Sequence, residues 1–288
     1  MGMTDFPDIR NGQQFYLNEQ VELSILELIY QEFSTGRALY RVHNRNDGLY
    51  YALKIFDLSL NESQSIKSEM LALNRQLQRP ELFPRYRSYT EKNGWGYLRL
   101  DWMDGDTLTK VYKDSVVSGK SDIIKRVDIL LLICKAMEVV HSAKLLHRDL
   151  KPDNVLLRDK NDISKGVVII DFGLSICKRR PEEGTRGYQA PEQEYKRNFN
   201  LNQCTDIYGI GQIGWWLLTG KPFLEYPDES YTDWADVKPG HLRSLVPIAP
   251  EQLEQALLKA LAFNPKNRYR EVKHLSYELN GILRALRR

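Results

Sequence analysis

Asp149, Lys151 and Asn154 fall close together in the stretch His147-Arg148-Asp149-Leu150-Lys151-Pro152-Asp153-Asn154. Pro152 forbids a regular helix there and biases its neighbours toward a loop. Such a loop can aim the acid, the amine and the amide at one point. Asp171 opens an Asp-Phe-Gly triplet directly behind Val167-Val168-Ile169-Ile170, an apolar run that reads as a buried strand. The amide of Asn154 and the carboxylate of Asp171, on adjacent loops, make an all-oxygen set. Hard oxygen ligands of that kind suit magnesium carried in on a polyphosphate better than zinc or copper.

The elements that must hold these groups follow from periodicity. Residues 1–20 are polar, contain Pro7 and Gly12, and read as an extension leading into the fold. Val21 to Ile29 alternates loosely as a first strand, and Leu39-Tyr40-Arg41-Val42 reads as its hairpin partner across a turn at residues 31–37. After the turn Asn46-Asp47-Gly48, Leu49 to Phe56 alternates as a strand with Lys54 inside it. A lysine there is costly to bury without an anion. Residues 62–78 read as a helix, with Ile66, Met70, Leu73 and Leu77 at helical spacing and Glu69 beside that stripe. Strands are expected at Tyr86 to Thr90 and Trp95 to Leu100, around Lys92-Asn93-Gly94. Asp122 to His141 reads as a long core helix. A second apolar helix starts at Asp206 and stops near Thr219-Gly220, a glycine at a helix end. Two further helices are expected near 250–262 and 270–285.

The octet at 147–154, Asp-Phe-Gly and Ala190-Pro191-Glu192, in that order, resemble the signature set of eukaryotic-type serine/threonine protein kinases. The resemblance covers about residues 21–285. It implies an α+β, bilobal fold: residues 21–100 as a small antiparallel-sheet lobe with one main helix, and 101–288 as a hinge and a larger, mostly helical lobe. It implies ATP and Mg2+ as cofactors and a protein with a serine or threonine acceptor as partner. Asp149 is then the base, Lys151 offsets charge on the moving phosphoryl group, and Asn154 and Asp171 hold the metal. Lys54 grips the α and β phosphates and is held by Glu69; the competing Glu62 lies in the first helical turn, where a carboxylate answers the helix dipole. Asp101 and Met103 offer backbone to adenine, Ala52 and Leu156 sandwich the base beside Leu100, and Asp106 or Thr107 reaches the ribose. The family's glycine-rich turn is reduced to Gly36, with Ser34 and Thr35 either donating to phosphate or serving as ordinary polar turn residues. Thr185 resembles the threonine that such kinases hold near Asp149 and Lys151, and Ser175 is the other Ser or Thr between the two triplets. Arg148 is the position that binds a phosphorylated residue, for which Glu182 and Glu183 are expected to substitute as fixed anions. Asp206 tethers the catalytic-loop backbone, and Arg268 pairs with Glu192.

A chain of 288 residues supports one large or two smaller domains. With 41 basic against 38 acidic residues, no nucleic-acid or acidic-membrane partner is expected. Cys134, Cys177 and Cys204 are far apart and lack metal-ligand spacing, which fits free thiols of a reducing cytosol. The longest apolar run, Ile129 to Cys134, falls short of the ~18 residues that cross a bilayer. A cytoplasmic setting is therefore expected, and no feature of the sequence sets an oligomeric state. Two rival readings stand beside the kinase. A docking module on the same fold is supported by the thin glycine turn and opposed by the full set Lys54, Glu69, Asp149, Asn154 and Asp171. A small-molecule phosphotransferase of related fold is opposed by Ala190-Pro191-Glu192 together with Asp206 and Arg268.

Overall fold

The computed structural model describes residues 6–7, 9–18, 21–60, 74, 77–172, 185, 187–193, 200–223 and 241–288. Glu62, Glu69, Ser175, Cys177, Glu182 and Glu183, with most of the expected helix at 62–78, lie outside the described residues. The chain divides into two compact units, Met1–Met103 and Asp104–Arg288.

The first unit is built on one antiparallel sheet: β1 (Gln14–Asn18), β2 (Val21–Glu32), β3 (Arg37–Asn44), β4 (Tyr50–Asp57), β5 (Tyr86–Lys92) and β6 (Trp95–Asp101), in the order β1-β2-β3-β4-β6-β5. Along β3 and β4 every second residue is buried, as a strand with one covered face requires. Tyr40, Val42, Tyr51, Leu53 and Ile55 enter the core, where Leu53 and Ile55 have no exposure. Full burial of such a side chain contributes about 1.5–3 kcal/mol. The register pairs Leu39 with Lys54 and Arg41 with Ala52, so these four share the opposite face. A slip of one residue would drive Lys54 into the core.

Residues 6–18 are part of this unit rather than an extension leading into it. β1 pairs with the start of β2, and Phe6, Ile9 and Phe15 pack on the core that contains Leu17. The sheet curls far enough for its ends to meet: the Phe15 and Tyr97 rings lie 5.1 Å apart, and Lys92 Nζ donates to Tyr16 O at 3.4 Å. β2 also runs past Ile29 to Glu32, with irregularities between Ile25 and Glu27 and between Leu28 and Tyr30.

The second unit is mostly helical. A short sheet of β7 (Asp106–Thr107), β8 (Val155–Leu157) and β9 (Val167–Ile169) is joined by α1 (Leu108–Tyr112), α2 (Lys120–Ser142), α3 (Gln203–Thr219), α4 (Leu242–Leu245), α5 (Glu251–Ala260) and α6 (Val272–Arg287). α3 is buried from Thr205 to Leu218, as an apolar-all-round helix must be. Asn202 caps its start by accepting from Cys204 N at 2.8 Å, and Gly220, left-handed at φ 73, closes its end. Arg126 ties α2 to α3: its side chain is buried, and its Nε donates to Leu217 O at 2.7 Å.

Candidate active site

The loop between α2 and β8 is held from below by one carboxylate. Asp206, in the first turn of α3 and 1% exposed, accepts from His147 N at 3.0 Å and from Arg148 N at 2.8 Å. Its Oδ2 also lies 2.8 Å from His141 Nε2. An ionised carboxylate only accepts, so Nε2 carries the proton. Burial pushes the Asp206 carboxyl up, but the His141 hydrogen bond and the Arg148 N–H outweigh it and hold the group below its ordinary range. α3 can pass this close because Gly209 faces the loop; a Cβ there would sit 2.8 Å from Leu150 Cβ.

Two further side chains brace the loop from other directions. Gln193 Nε2 donates to Arg148 O at 2.7 Å while its Oε1 accepts from Ala190 N at 2.8 Å. His147 Nε2 donates to Ile170 O at 2.9 Å, leaving Nδ1 to accept from Asp149 N at 3.3 Å. Ile170 N in turn donates to Asn154 O at 3.0 Å. Both peptide groups flanking Ile170 are thus bound to the loop, and Asp171 follows at once in the left-handed region, φ 62. Pro152 opens a single 3-10 turn, Pro152–Asn154, consistent with the fixed φ of proline.

The reactive groups converge above this frame. Asp149 Oδ1 accepts from Thr185 N at 3.0 Å and from Thr185 Oγ1 at 2.8 Å, while Lys151 Nζ donates to the same Oγ1 at 2.7 Å. Lys151 Nζ also lies 3.6 Å from Asp149 Oδ2. One hydroxyl therefore sits between a carboxylate and an ammonium. Asn154 Nδ2 donates to Asp149 O at 2.8 Å and reaches Oδ2 at 3.3 Å. With the nitrogen so engaged, the amide oxygen of Asn154 is left to accept. That oxygen and the Asp171 carboxylate are the hard donors magnesium takes, so this part of the chain fits the ion.

In the first unit, Lys54 and Ala52 lie on the face away from the core, with Leu98 and Leu100 as their cross-strand neighbours on β6. In the turn between β2 and β3 the structure shows the second of the two alternatives, polar residues bonded within the turn. Ser34 and Thr35 do not offer free hydroxyls: they donate to the Glu32 carboxylate at 3.4 and 2.7 Å. Gly36 has a packing reason of its own. At φ 61 its Cβ would lie 2.6 Å from Asp57 Cβ. Asp101 N donates to Arg85 O at 2.9 Å and its carboxylate pairs with Arg87, while Met103 ends this unit.

In the second unit Leu156 is buried in β8 opposite Val168. Asp106 and Thr107, expected near a ribose, serve α1: Thr107 Oγ1 accepts from Lys110 N at 3.1 Å, and Asp106 pairs with Lys110 Nζ at 2.5 Å. Glu192 and Arg268 form the expected buried pair, with Nη1–Oε1 at 2.7 Å and Nη2–Oε2 at 2.8 Å. His141 and Gln193 escape sequence reasoning. Their signals are slight: a histidine ending an apolar helix shortly before His147, and a glutamine directly after Ala190-Pro191-Glu192.

Residues 34–282 match the family model of the protein kinase domain, and the chain belongs to that family. Serine/threonine-protein kinase Pkn1 of Myxococcus xanthus is 31% identical over 190 residues, covering 61% of this chain and 26% of that protein. Serine/threonine-protein kinase PknD of Chlamydia abortus is 28% identical over 274 residues, covering 81% of this chain and 28% of that protein. The chain thus spans about a quarter of the length of these curated relatives. The crystal structure of a double mutant of the Mycobacterium tuberculosis PknI kinase domain has the same fold, with TM-score 0.72 and 21% identity over 96% of this chain and 100% of that one.

Proposed function

We propose that this chain transfers the γ-phosphoryl group of ATP to serine or threonine hydroxyls of a protein. The observation that carries this is the Thr185 hydroxyl, which donates to Asp149 Oδ1 and accepts from Lys151 Nζ. A side-chain alcohol is held there as a nucleophile must be, proton toward a carboxylate and oxygen beside a positive charge. An acceptor hydroxyl presented to the same carboxylate gives its proton to Asp149 as its oxygen bonds to the γ-phosphorus. The bond from that phosphorus to the bridging oxygen breaks, and ADP leaves with the electron pair. Lys151 offsets charge on the phosphoryl group in flight. Asn154 and Asp171 would hold magnesium, which when bound would supply positive charge beside the phosphates. By resemblance, Lys54 is assigned to the α and β phosphates and the backbone at Asp101 and Met103 to adenine.

Both relatives above are serine/threonine kinases by name, which supports the choice of acceptor. Labelled ATP with magnesium and a mixed protein acceptor, followed by acid hydrolysis, should place label on serine and threonine. Label on tyrosine alone contradicts the proposal. We also infer a cytosolic setting. Cys134 and Cys204 are free thiols, and burial pushes both up and away from reactivity. Among the described residues no helix is long and apolar enough to cross a membrane.

A further inference from the structure

The sheet face that bears Lys54 also carries a stack of rings and a guanidinium. Register pairs His43 with Tyr50 and Arg41 with Ala52, which puts these residues on that face. The Arg41 guanidinium lies 4.9 Å from the centre of the Tyr50 ring and 4.9 Å from that of Trp102. His43 extends the stack, its ring 5.1 Å from Tyr50. Arg41 Nε is buried and has no hydrogen-bond partner, and no carboxylate forms an ion pair with Arg41 among the described residues. A buried donor without an acceptor is unfavourable. Methionine would fill the same space without it. What arginine alone supplies is a planar cation between two aromatic faces.

Trp102 is the residue so gripped, and it lies between Asp101 and Met103. β6 ends at Asp101. Beyond it, Trp102 N donates to Tyr50 O at 3.3 Å, a long bond for an amide. Asp101 is fixed from the other face of the sheet, where Arg87 Nε and Nη2 reach its carboxylate at 2.5 and 3.0 Å. Two arginines thus hold consecutive residues from opposite faces. We propose that Arg41 is a positioning residue for nucleotide binding: its stack between Tyr50 and Trp102 sets the backbone at residues 101–103 that pairs with adenine. This rests on the kinase reading above and adds a determinant of ATP affinity that touches neither phosphate nor the acceptor.

The test compares wild type with Arg41→Ala and Arg41→Met for KM of ATP, kcat, and amide hydrogen exchange. Losing the stack should raise KM for ATP about fivefold to tenfold in both variants, with kcat within about twofold. The amides of Trp102 and Met103 should exchange faster, while those of residues 147–154 stay unchanged. Wild-type KM together with wild-type exchange at Trp102 in Arg41→Met overturns the proposal. Should the Arg41 variants not fold, Trp102→Leu removes the ring and leaves Arg41; a KM for ATP equal to wild type there overturns it equally. Failure of wild type to label any acceptor would sink the kinase reading alone, because the exchange measurement reads the clamp without turnover.

Discussion

Replacing Asp206 by asparagine keeps the shape of the side chain and removes one of its two acceptor oxygens. The carboxylate serves three donors, His147 N, Arg148 N and His141 Nε2, from a site with almost no exposure. With the amide oxygen in the place of Oδ1, the Arg148 bond survives. The new NH2 then faces His147 N–H and His141 Nε2–H, and each orphaned buried donor costs about 1–3 kcal/mol. His141 has a way out: its Nδ1 has no partner, so the proton can move there and let Nε2 accept from the amide. One orphan remains, and the expected loss is about 1–3 kcal/mol, a large share of the ~5–15 kcal/mol that holds a typical domain folded.

Acid supplies an independent check on this residue. The Asp206 carboxyl titrates below its ordinary value of 3.8 in the folded protein. It therefore contributes stability that is fully present above about pH 4 and is lost as pH falls through the lower folded value. Urea unfolding of wild type and Asp206→Asn should show a gap at pH 7 that shrinks below about pH 4. Because His147 and Arg148 frame Asp149, kcat should fall with stability. A variant within about 0.5 kcal/mol of wild type at pH 7, or a gap unchanged by acid, would show that the Asp206 carboxylate does not stabilise the fold through these bonds.

Arg268→Ala removes the guanidinium that pairs with Glu192, a carboxylate with no exposure that also accepts from Thr205 Oγ1 at 2.9 Å, and should lose about 3–5 kcal/mol in chemical denaturation. Gly209→Ala places a methyl 2.8 Å from Leu150 Cβ and 3.3 Å from Leu150 O, so the catalytic loop must shift. Stability should fall by about 1–3 kcal/mol in urea titration, and kcat should fall more steeply than overpacking in the core alone would cause.

The site was more legible than the frame around it. Asp149, Lys151, Asn154 and Asp171 announce themselves because few structural needs put an acid, an amine and an amide beside a proline. The ladder of β3 and β4 was readable for a related reason, a clean period of two with Lys54 on the open face. β1 was hidden because its apolar residues, Phe15-Tyr16-Leu17, are a run of three without alternation inside an otherwise polar stretch. Its reason for pairing lies in the curl of the sheet, which brings Phe15 to Tyr97 far along the chain. The sequence left Ser34 and Thr35 open between phosphate donors and ordinary turn residues, because which acceptor a turn hydroxyl takes depends on geometry; here it is the nearby Glu32 carboxylate. His141 and Gln193 are ordinary in sequence. The work of His141 is apparent only once α3 is seen under the loop, and that of Gln193 only once its amide is seen bridging Ala190 N and Arg148 O.

If Asp149 takes the proton of the acceptor hydroxyl, removing its charge must slow phosphoryl transfer. Intact mass of a serine-containing protein acceptor, followed over time with ATP and magnesium, compares wild type with Asp149→Asn. Wild type should add phosphoryl groups, and the variant should be slower by about 10²–10⁴ while still binding ADP. Equal rates in the two proteins would show that Asp149 is not the base.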